Sequence, residues 1–150
     1  MKRLLLFACL SALLGLTGCA SVPKESDYSK VAHIKAFPPP GTNKAGLYIF
    51  RDSYLGSALK KDIWVDNDCV GESAPNTFFY VTVAGNKRHT IATESEFSPN
   101  TLSILTQSGK NYFVRQYIKM GVFVGGADLE VVPENEAKPI IQRLDLATPG

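Results

Sequence analysis

Hydrophobic residues form one continuous run near the start of the chain and short alternating segments afterwards. The run is LLLFACLSALLGL, residues 4–16, and it follows Lys2 and Arg3. It is too short to cross a membrane, because a spanning helix needs about 20 apolar residues. A basic start, a short apolar helix and small residues after it are typical of a cleaved signal peptide, which we assign to residues 1–18.

The signal peptide is followed by a cysteine in a specific context. Leu16-Thr17-Gly18-Cys19 resembles the lipobox of bacterial lipoproteins, in which an aliphatic residue and two small residues precede a cysteine. The resemblance implies cleavage between Gly18 and Cys19 and attachment of fatty acyl chains, palmitate among them, to Cys19. Several chains on one residue anchor a protein stably, since each buried methylene contributes roughly 0.8 kcal/mol. The alternative is an ordinary secretory signal with an accidental cysteine.

Residues 19–44 show neither the period of a strand nor that of a helix, and they end in Pro38-Pro39-Pro40-Gly41. Three prolines favour an extended segment. We therefore expect a flexible, lipidated linker over 19–44, with His33 in solvent and a maximal reach of about 80 Å. The alternative within this linker is a short helix between Tyr28 and Ala36. Ala20 and Ser21 follow the cysteine in place of an aspartate. In a cell with two membranes this favours the outer membrane, with the protein facing the periplasm.

From residue 45 to residue 150, short β-type segments alternate with turn residues. The segments are 46–51, 58–66, 69–72, 77–83, 88–94, 102–106, 111–120 and 127–132. Asp66-Asn67-Asp68 and Ser108-Gly109 predict tight turns, and Gly85-Asn86 predicts a hairpin. This spacing predicts an all-β domain, an antiparallel β-sandwich of the Ig-like or prealbumin-like kind. A short C-terminal helix fits residues 133–144, with Pro139 limiting its length.

Composition and charge narrow the function classes. Without Lys2 and Arg3 the chain has fourteen basic and fourteen acidic residues and no block of like charge. A nucleic-acid partner is therefore not expected. Only Cys69 remains as a free thiol, so no intramolecular disulfide forms, and we expect Cys69 to be a small buried residue.

Candidate chemistry is sparse. The two histidines, His33 and His89, form no metal-binding pattern, and neither a nucleophile elbow nor a phosphate loop is present, so we expect no metal and no cofactor. Glu94 and Glu96 would share one face of a strand, at a separation compatible with glycan cleavage. The alternative is a solvated charged face. Together with two arginines they define a candidate polar cluster: Arg51, Glu94, Glu96 and Arg115.

Several sequence blocks resemble a known family. They are AGLYIFRDS (45–53), TFFYVTVAG (77–85), IATESEFSPN (91–100) and GKNYFVRQYIKMGVFVGGADLEVV (109–132). They resemble a bacterial family catalogued as domain of unknown function 2846, many of whose members look like lipoproteins. Residues 64–93 are also similar to PEGA-type surface domains, which are small β-sandwiches, although Asn67 stands in place of the usual glycine. Neither resemblance implies an activity.

We therefore expect a membrane-anchored, non-catalytic lipoprotein whose domain binds or organises another envelope component, a protein or a glycan. One alternative is an extracytoplasmic enzyme that acts on envelope glycan or lipid through Glu94 and Glu96. Another is a purely structural or stress-related lipoprotein. A concave pocket holding both carboxylates would favour the enzyme, whereas an exposed patch of tyrosine and phenylalanine would favour binding.

Overall fold

The computed structural model describes residues 21–150, so the predicted signal peptide and Cys19 lie outside the described residues. Within residues 21–150 the chain forms two helices and nine strands. The helices are α1 (Tyr28–Lys35) and α2 (Glu134–Ile141). The strands are β1 (Lys44–Arg51), β2 (Lys61–Val65), β3 (Asp68–Ser73), β4 (Thr77–Ala84), β5 (Arg88–Thr93), β6 (Asn100–Leu105), β7 (Asn111–Lys119), β8 (Gly126–Val131) and β9 (Asp145–Leu146).

Two sheets pack face to face and confirm the predicted β-sandwich. The larger sheet has the order β8-β7-β1-β4-β9 and the smaller one β3-β2-β5-β6. Most neighbours are antiparallel, but β1 pairs in parallel with β7, and β4 in parallel with β9. The larger sheet is therefore mixed. The parallel pair arises because β6 lies in the other sheet and returns the chain to the end where β1 begins.

Strand β1 is the centre of the larger sheet and is buried at seven of its eight residues. Leu47 and Ile49 point into the core between the sheets. Tyr48 and Phe50 point the other way, into a second core beneath the helices. A strand covered on both faces carries a continuous apolar run, as KAGLYIFR does.

The segment before β1 covers that second core. Ile34 of α1 is buried, and the hydroxyl of Tyr48 donates a hydrogen bond to the Ile34 carbonyl at 2.9 Å. The side-chain amide of Asn111 donates to the carbonyls of Phe37 and Pro38. Residues 22–44 therefore lie on the sandwich, which differs from the flexible linker predicted over 19–44. The difference arises because the apolar outer face of β1 needs a cover, and weak local periodicity does not reveal such docking.

Two of the predicted turns had different outcomes. Asp66 and Asn67 both have positive φ, 51° and 71°, and join β2 to β3 in a two-residue hairpin loop, which confirms the tight turn predicted at Asp66-Asn67-Asp68. The hairpin predicted at Gly85-Asn86 is wrong, since β4 and β5 belong to different sheets. Gly85 is needed for close approach instead, because a Cβ there would lie 2.7 Å from the Cα of Ser108.

Further differences are local. Strand β2 begins at Lys61 rather than at residue 58, because residues 55–58 form a turn. Cys69 is exposed on the edge strand β3, so its predicted burial is wrong. The C-terminal helix is present as α2 and accommodates Pro139, and β9 follows it. No helix among residues 21–150 is long and apolar enough to span a membrane.

Among residues 21–150, the two hydrophobic cores are built from residues between Val22 and Ala147. Both faces of β1 therefore find a cover within this part of the chain. We expect residues 21–150 to fold as one domain.

The docking of α1 can be tested with Ile34→Ala. We expect this change to lower the free energy of unfolding by about 2 kcal/mol, because it removes a buried side chain from the second core. The matched control is His33→Ala, which alters an exposed side chain of the same helix. Urea denaturation followed by the fluorescence of Trp64 measures both. Equal stabilities of the two variants would mean that the segment does not pack on the domain.

Candidate functional site

Three loops meet at one end of the sandwich. They are residues 52–60 between β1 and β2, 94–99 between β5 and β6, and 120–125 between β7 and β8. The side-chain amide of Asn100 donates to the Ala127 carbonyl at 2.7 Å and joins the starts of β6 and β8. A Cβ on Gly125 would lie 2.7 Å from a methyl group of Leu59, so the first and third loops are in contact.

Most of the exposed apolar surface lies on these three loops. Ten large hydrophobic side chains are exposed among residues 21–150, and seven of them belong to this end. We call these seven residues the apolar tip: Tyr54, Leu55, Phe97, Met120, Val122, Phe123 and Val124. Phe97 is 77% exposed and Phe123 is 83% exposed. Such a concentration differs from scattered single surface hydrophobes, which need no functional explanation.

The carboxylate of Glu96 fixes the third loop. It accepts hydrogen bonds from the backbone amides of Val122 at 2.7 Å, Phe123 at 2.5 Å and Val124 at 3.2 Å. Three successive N–H groups that converge on one carboxylate form an anion-binding nest. The loop residues point their amides inward to Glu96, and their apolar side chains are left in solvent.

Glu96 is held in its ionised form. Partial burial alone would raise the pKa of this carboxyl, but the amides of Phe123, Val122 and Val124 outweigh that effect and lower the pKa below its ordinary value of 4.5. A carboxylate whose acceptor sites are occupied in this way is poorly suited to act as a general acid. The role of this carboxylate is to hold the third loop in place through these hydrogen bonds.

Arg51 fixes the first loop from inside. Its side chain is fully buried at the end of β1, and its guanidinium donates to the carbonyls of Leu59 at 2.7 Å, Gly56 at 2.8 Å and Leu55 at 3.3 Å. Burial lowers the pKa of this guanidinium, which nevertheless stays protonated. A buried cation that binds only loop carbonyls orders the first loop without contributing to the surface.

The predicted polar cluster does not form one site. Arg51 is buried between the sheets, and Arg115 lies on the outer face of the larger sheet, where it binds Asp52, Glu130 and Glu136. Burial alone would lower the pKa of Arg115, but the bond to Glu130 and the charge of Asp52 raise it.

Glu94 and Glu96 also have different surroundings and do not form a pair. Strand β5 ends at Thr93, so Glu94 and Glu96 lie in a loop and do not share the face of a strand. Glu94 is half-exposed and lies 3.7 Å from the ammonium of Lys61. A depression of about 270 Å³ beside the tip is lined by Glu96, Phe97 and Lys119 but not by Glu94. The spacing of a catalytic carboxylate pair is therefore not realised.

Two polar groups inside the domain have structural roles. Gln116, which interrupts the apolar face of β7, is buried and bonds to the hydroxyls of Ser73 and Thr93. His89 is buried with Nδ1 2.5 Å from Asp66 and Nε2 2.8 Å from the Ala84 carbonyl. Gln116 of the larger sheet is thereby joined to two strands of the smaller sheet. His89 of the smaller sheet is joined to the larger sheet at Ala84 and to the β2–β3 turn at Asp66. Among residues 21–150 no three His, Cys, Asp or Glu side chains are grouped to hold a metal ion.

Sequence reasoning missed the apolar tip. Gly121 and Gly125 flank the exposed residues 122–124, and Gly126 begins β8. A usable signal is present, because VFV (residues 122–124) has no polar residue and lies between Gly121 and Gly125, where a loop should be polar. An apolar loop of this kind indicates a contact surface.

Comparisons with known proteins match most of the chain. The model of the family described as protein of unknown function (DUF2846) matches residues 41–127, which include all three loops of the apolar tip. A curated protein of Haemophilus influenzae (strain ATCC 51907 / DSM 11121 / KW20 / Rd), described as an uncharacterized protein, is 53% identical over 133 residues. The match covers 88% of this chain and 77% of that protein. No solved structure matches the chain.

The role of Glu96 is tested by Glu96→Gln. We expect the amides of Val122 and Phe123 to exchange with deuterium on the order of tenfold faster, because a neutral amide replaces charge-assisted hydrogen bonds with weaker ones. Glu94→Gln is the matched control and should leave this exchange unchanged. Indistinguishable exchange in the two variants would show that Glu96 does not hold the loop.

The same contact predicts a pH dependence. Because the pKa of Glu96 is lowered in the folded state, its contribution is complete above pH 4.5 and is lost as the pH falls through the lowered folded value. The amide resonances of residues 122–124 should therefore shift together in an acid titration by NMR and stay constant between pH 5 and 7, a range set by the lowered pKa. A transition inside that range would contradict the assignment.

Proposed function

This chain belongs to the DUF2846 family, whose description assigns no activity, and we propose that it is a lipid-anchored envelope protein whose domain binds another envelope protein through the apolar tip. The observation that carries the proposal is the concentration of seven exposed apolar side chains on three loops of one end. Exposed apolar patches of this kind mark interaction sites in soluble domains.

The rigidity of the tip supports binding. Glu96 and Arg51 order the two outer loops through six hydrogen bonds to the backbone. Because the loops are ordered before a partner arrives, less conformational entropy is lost on association. If these two loops only connected strands, neither would need a charged side chain to hold its apolar residues in solvent.

A protein is the partner that the surface chemistry favours. The tip combines aliphatic and phenylalanine side chains, which fit an apolar pocket, and aromatic residues and methionine are enriched at protein interfaces. Around it, Lys60 pairs with Glu72, Lys119 with Asp128 and Lys61 with Glu94, so these charged side chains are already engaged within the domain. This disfavours a glycan, and the separated roles of Glu94 and Glu96 disfavour a glycan hydrolase.

The membrane anchor is the part of the proposal that rests on the sequence. The lipobox at residues 16–19 supports cleavage before Cys19, lipidation of Cys19 and residence at the outer membrane facing the periplasm. Mass spectrometry of the native protein should find a diacylglyceryl group on the sulfur of Cys19 and an acylated amine. An unmodified thiol there would remove the anchor from the proposal but leave the tip in place.

Site-specific crosslinking in intact cells tests the binding role. A photoreactive amino acid at Phe97 or Phe123 of the full chain should capture a discrete envelope protein. The matched controls are Leu105 and Val131, which are exposed apolar positions outside the tip and should capture nothing specific. Equal capture from all four positions, or capture only of glycan or lipid from the tip, would contradict the proposed partner class. Val122→Ser should weaken capture from Phe123 without unfolding the domain, since Val122 is exposed.

A further inference from the structure

We infer that the end of the sandwich opposite the apolar tip binds the anionic headgroups of the phospholipid membrane that carries the anchor. We call this surface the basic end, and its residues are Lys44, Lys87, Arg88 and Lys110. The inference deepens the proposed function and rests on its lipid anchor for orientation, whereas the charge of the surface stands independently. It places the tip on the side of the protein that faces away from the membrane.

The basic end is assembled from three connections. The amide of Gly109 donates to the Lys44 carbonyl at 2.8 Å, and the amide of Gly46 donates to the Lys110 carbonyl at 3.0 Å. The amide of Thr106 donates to the Lys87 carbonyl at 2.9 Å. These bonds bring the start of β1, the β4–β5 connection and the β6–β7 connection together. All four basic side chains are exposed.

The basic side chains at the two ends of the sandwich differ in whether they form ion pairs. Lys60, Lys61 and Lys119, near the tip, each lie within 4 Å of a carboxylate. No residue of the basic end makes an ion pair with any other part of residues 21–150; Arg88 donates only to the hydroxyl of Ser103, at 3.2 Å.

The acidic residues nearby do not cancel this surface. Asp66 faces the same end, where its carboxylate accepts from the amide of Thr90 and contacts His89. Burial alone would raise the pKa of this carboxyl, but these two contacts and the charge of Lys87 lower it. Asp68 is the other carboxylate of this turn and is exposed. The remaining excess of positive charge is concentrated on one end of a domain whose charges balance overall. Clusters of lysine and arginine next to an anchor add to membrane affinity through anionic lipids.

The path of the chain directs the anchor to this end. Strand β9 runs parallel to β4 and therefore leads from the tip towards the basic end. Lys24 pairs antiparallel with Ala147, and the amide of Thr148 donates to the Pro23 carbonyl at 3.0 Å. Followed backwards from Lys24 to residue 21, the chain thus heads for the basic end.

The remaining reach of the anchor is short. Residues 22–44 are held on the sandwich, so only two peptide units separate Ser21 from Cys19, and these span at most about 7 Å. A lipid on Cys19 therefore holds the domain directly against the bilayer surface. The closest surface to that bilayer is the basic end, which carries four basic residues against the two carboxylates of Asp66 and Asp68.

Vesicle binding tests the inference. Residues 21–150, which carry no lipid and whose folding is first verified by circular dichroism, are mixed with vesicles of phosphatidylcholine containing phosphatidylglycerol, and with vesicles of phosphatidylcholine alone. We expect sedimentation with the anionic vesicles only, and release by salt. Changing the four residues of the basic end to glutamine should lower the partition coefficient at least about tenfold, because each cation near an anionic surface contributes to binding.

The matched control removes the same charge elsewhere. Lys24, Lys60, Lys119 and Lys138, which are ion-paired, are changed to glutamine and should lower binding far less. Equal losses in the two quadruple variants, or equal binding to neutral vesicles, would overturn the inference. Loss of binding on Phe123→Ser, with the basic end intact, would assign the membrane contact to the tip and also overturn it. Crosslinking tests the apolar tip and vesicle binding tests the basic end. Either proposal can therefore be contradicted while the other stands.

Discussion

The burial of β1 on both faces is the constraint from which the architecture follows. Its inward side chains, Leu47 and Ile49, require the smaller sheet, and its outward side chains, Tyr48 and Phe50, require a second cover. A two-layer sandwich would leave those outward aromatic groups in water, at a cost of roughly 1.5–3 kcal/mol for each side chain of that size. The chain meets this requirement with two helices. In the sequence, α1 precedes β1 and α2 follows β8.

Recruitment of α1 as a cover has a consequence far from the core. A free linker of residues 19–44 would let the domain move tens of ångströms from the proposed lipid anchor and turn in any direction. Docking of Ile34 against Tyr48 holds these residues on the sandwich, so they no longer act as a spacer. It also fixes the position at which the chain leaves the domain. The two ends of the sandwich then become different in position as well as in chemistry, with the apolar tip at one and free basic side chains at the other.

The parts of this picture that the sequence predicted are those with a local cause. β-Branched and aromatic residues in Thr77–Val83 and alternation in Asn111–Met120 predicted strands, because strand propensity and side-chain direction depend on a residue and its near neighbours. Asp66-Asn67-Asp68 predicted its tight turn because Asn and Asp tolerate positive φ. The sheet that a strand joins is not local, so Gly85-Asn86 suggested a hairpin where the chain crosses between sheets.

The candidate site was hidden for the same reason. The amides that bind Glu96 belong to residues 26 to 28 positions later, and no spacing rule connects a carboxylate to backbone groups at that distance. Glu94 and Glu96 consequently suggested a catalytic pair, although one binds a loop and the other faces Lys61. Arg51 and Arg115 suggested partners for them, although one is buried among carbonyls and the other lies outside the sheet.

The orientation of the anchored domain is the central claim, and the depth of labelled side chains measures it directly. Lipidated full-length protein with Cys69→Ser is reconstituted in anionic vesicles and carries a spin label at Lys110→Cys or at Phe123→Cys. Collision with water-soluble and membrane-soluble relaxing agents reports the depth of each label. The account predicts the first label at the headgroups and the second in water, about 25 Å away, the length of β1. A label at position 123 that lies within the lipid would contradict it.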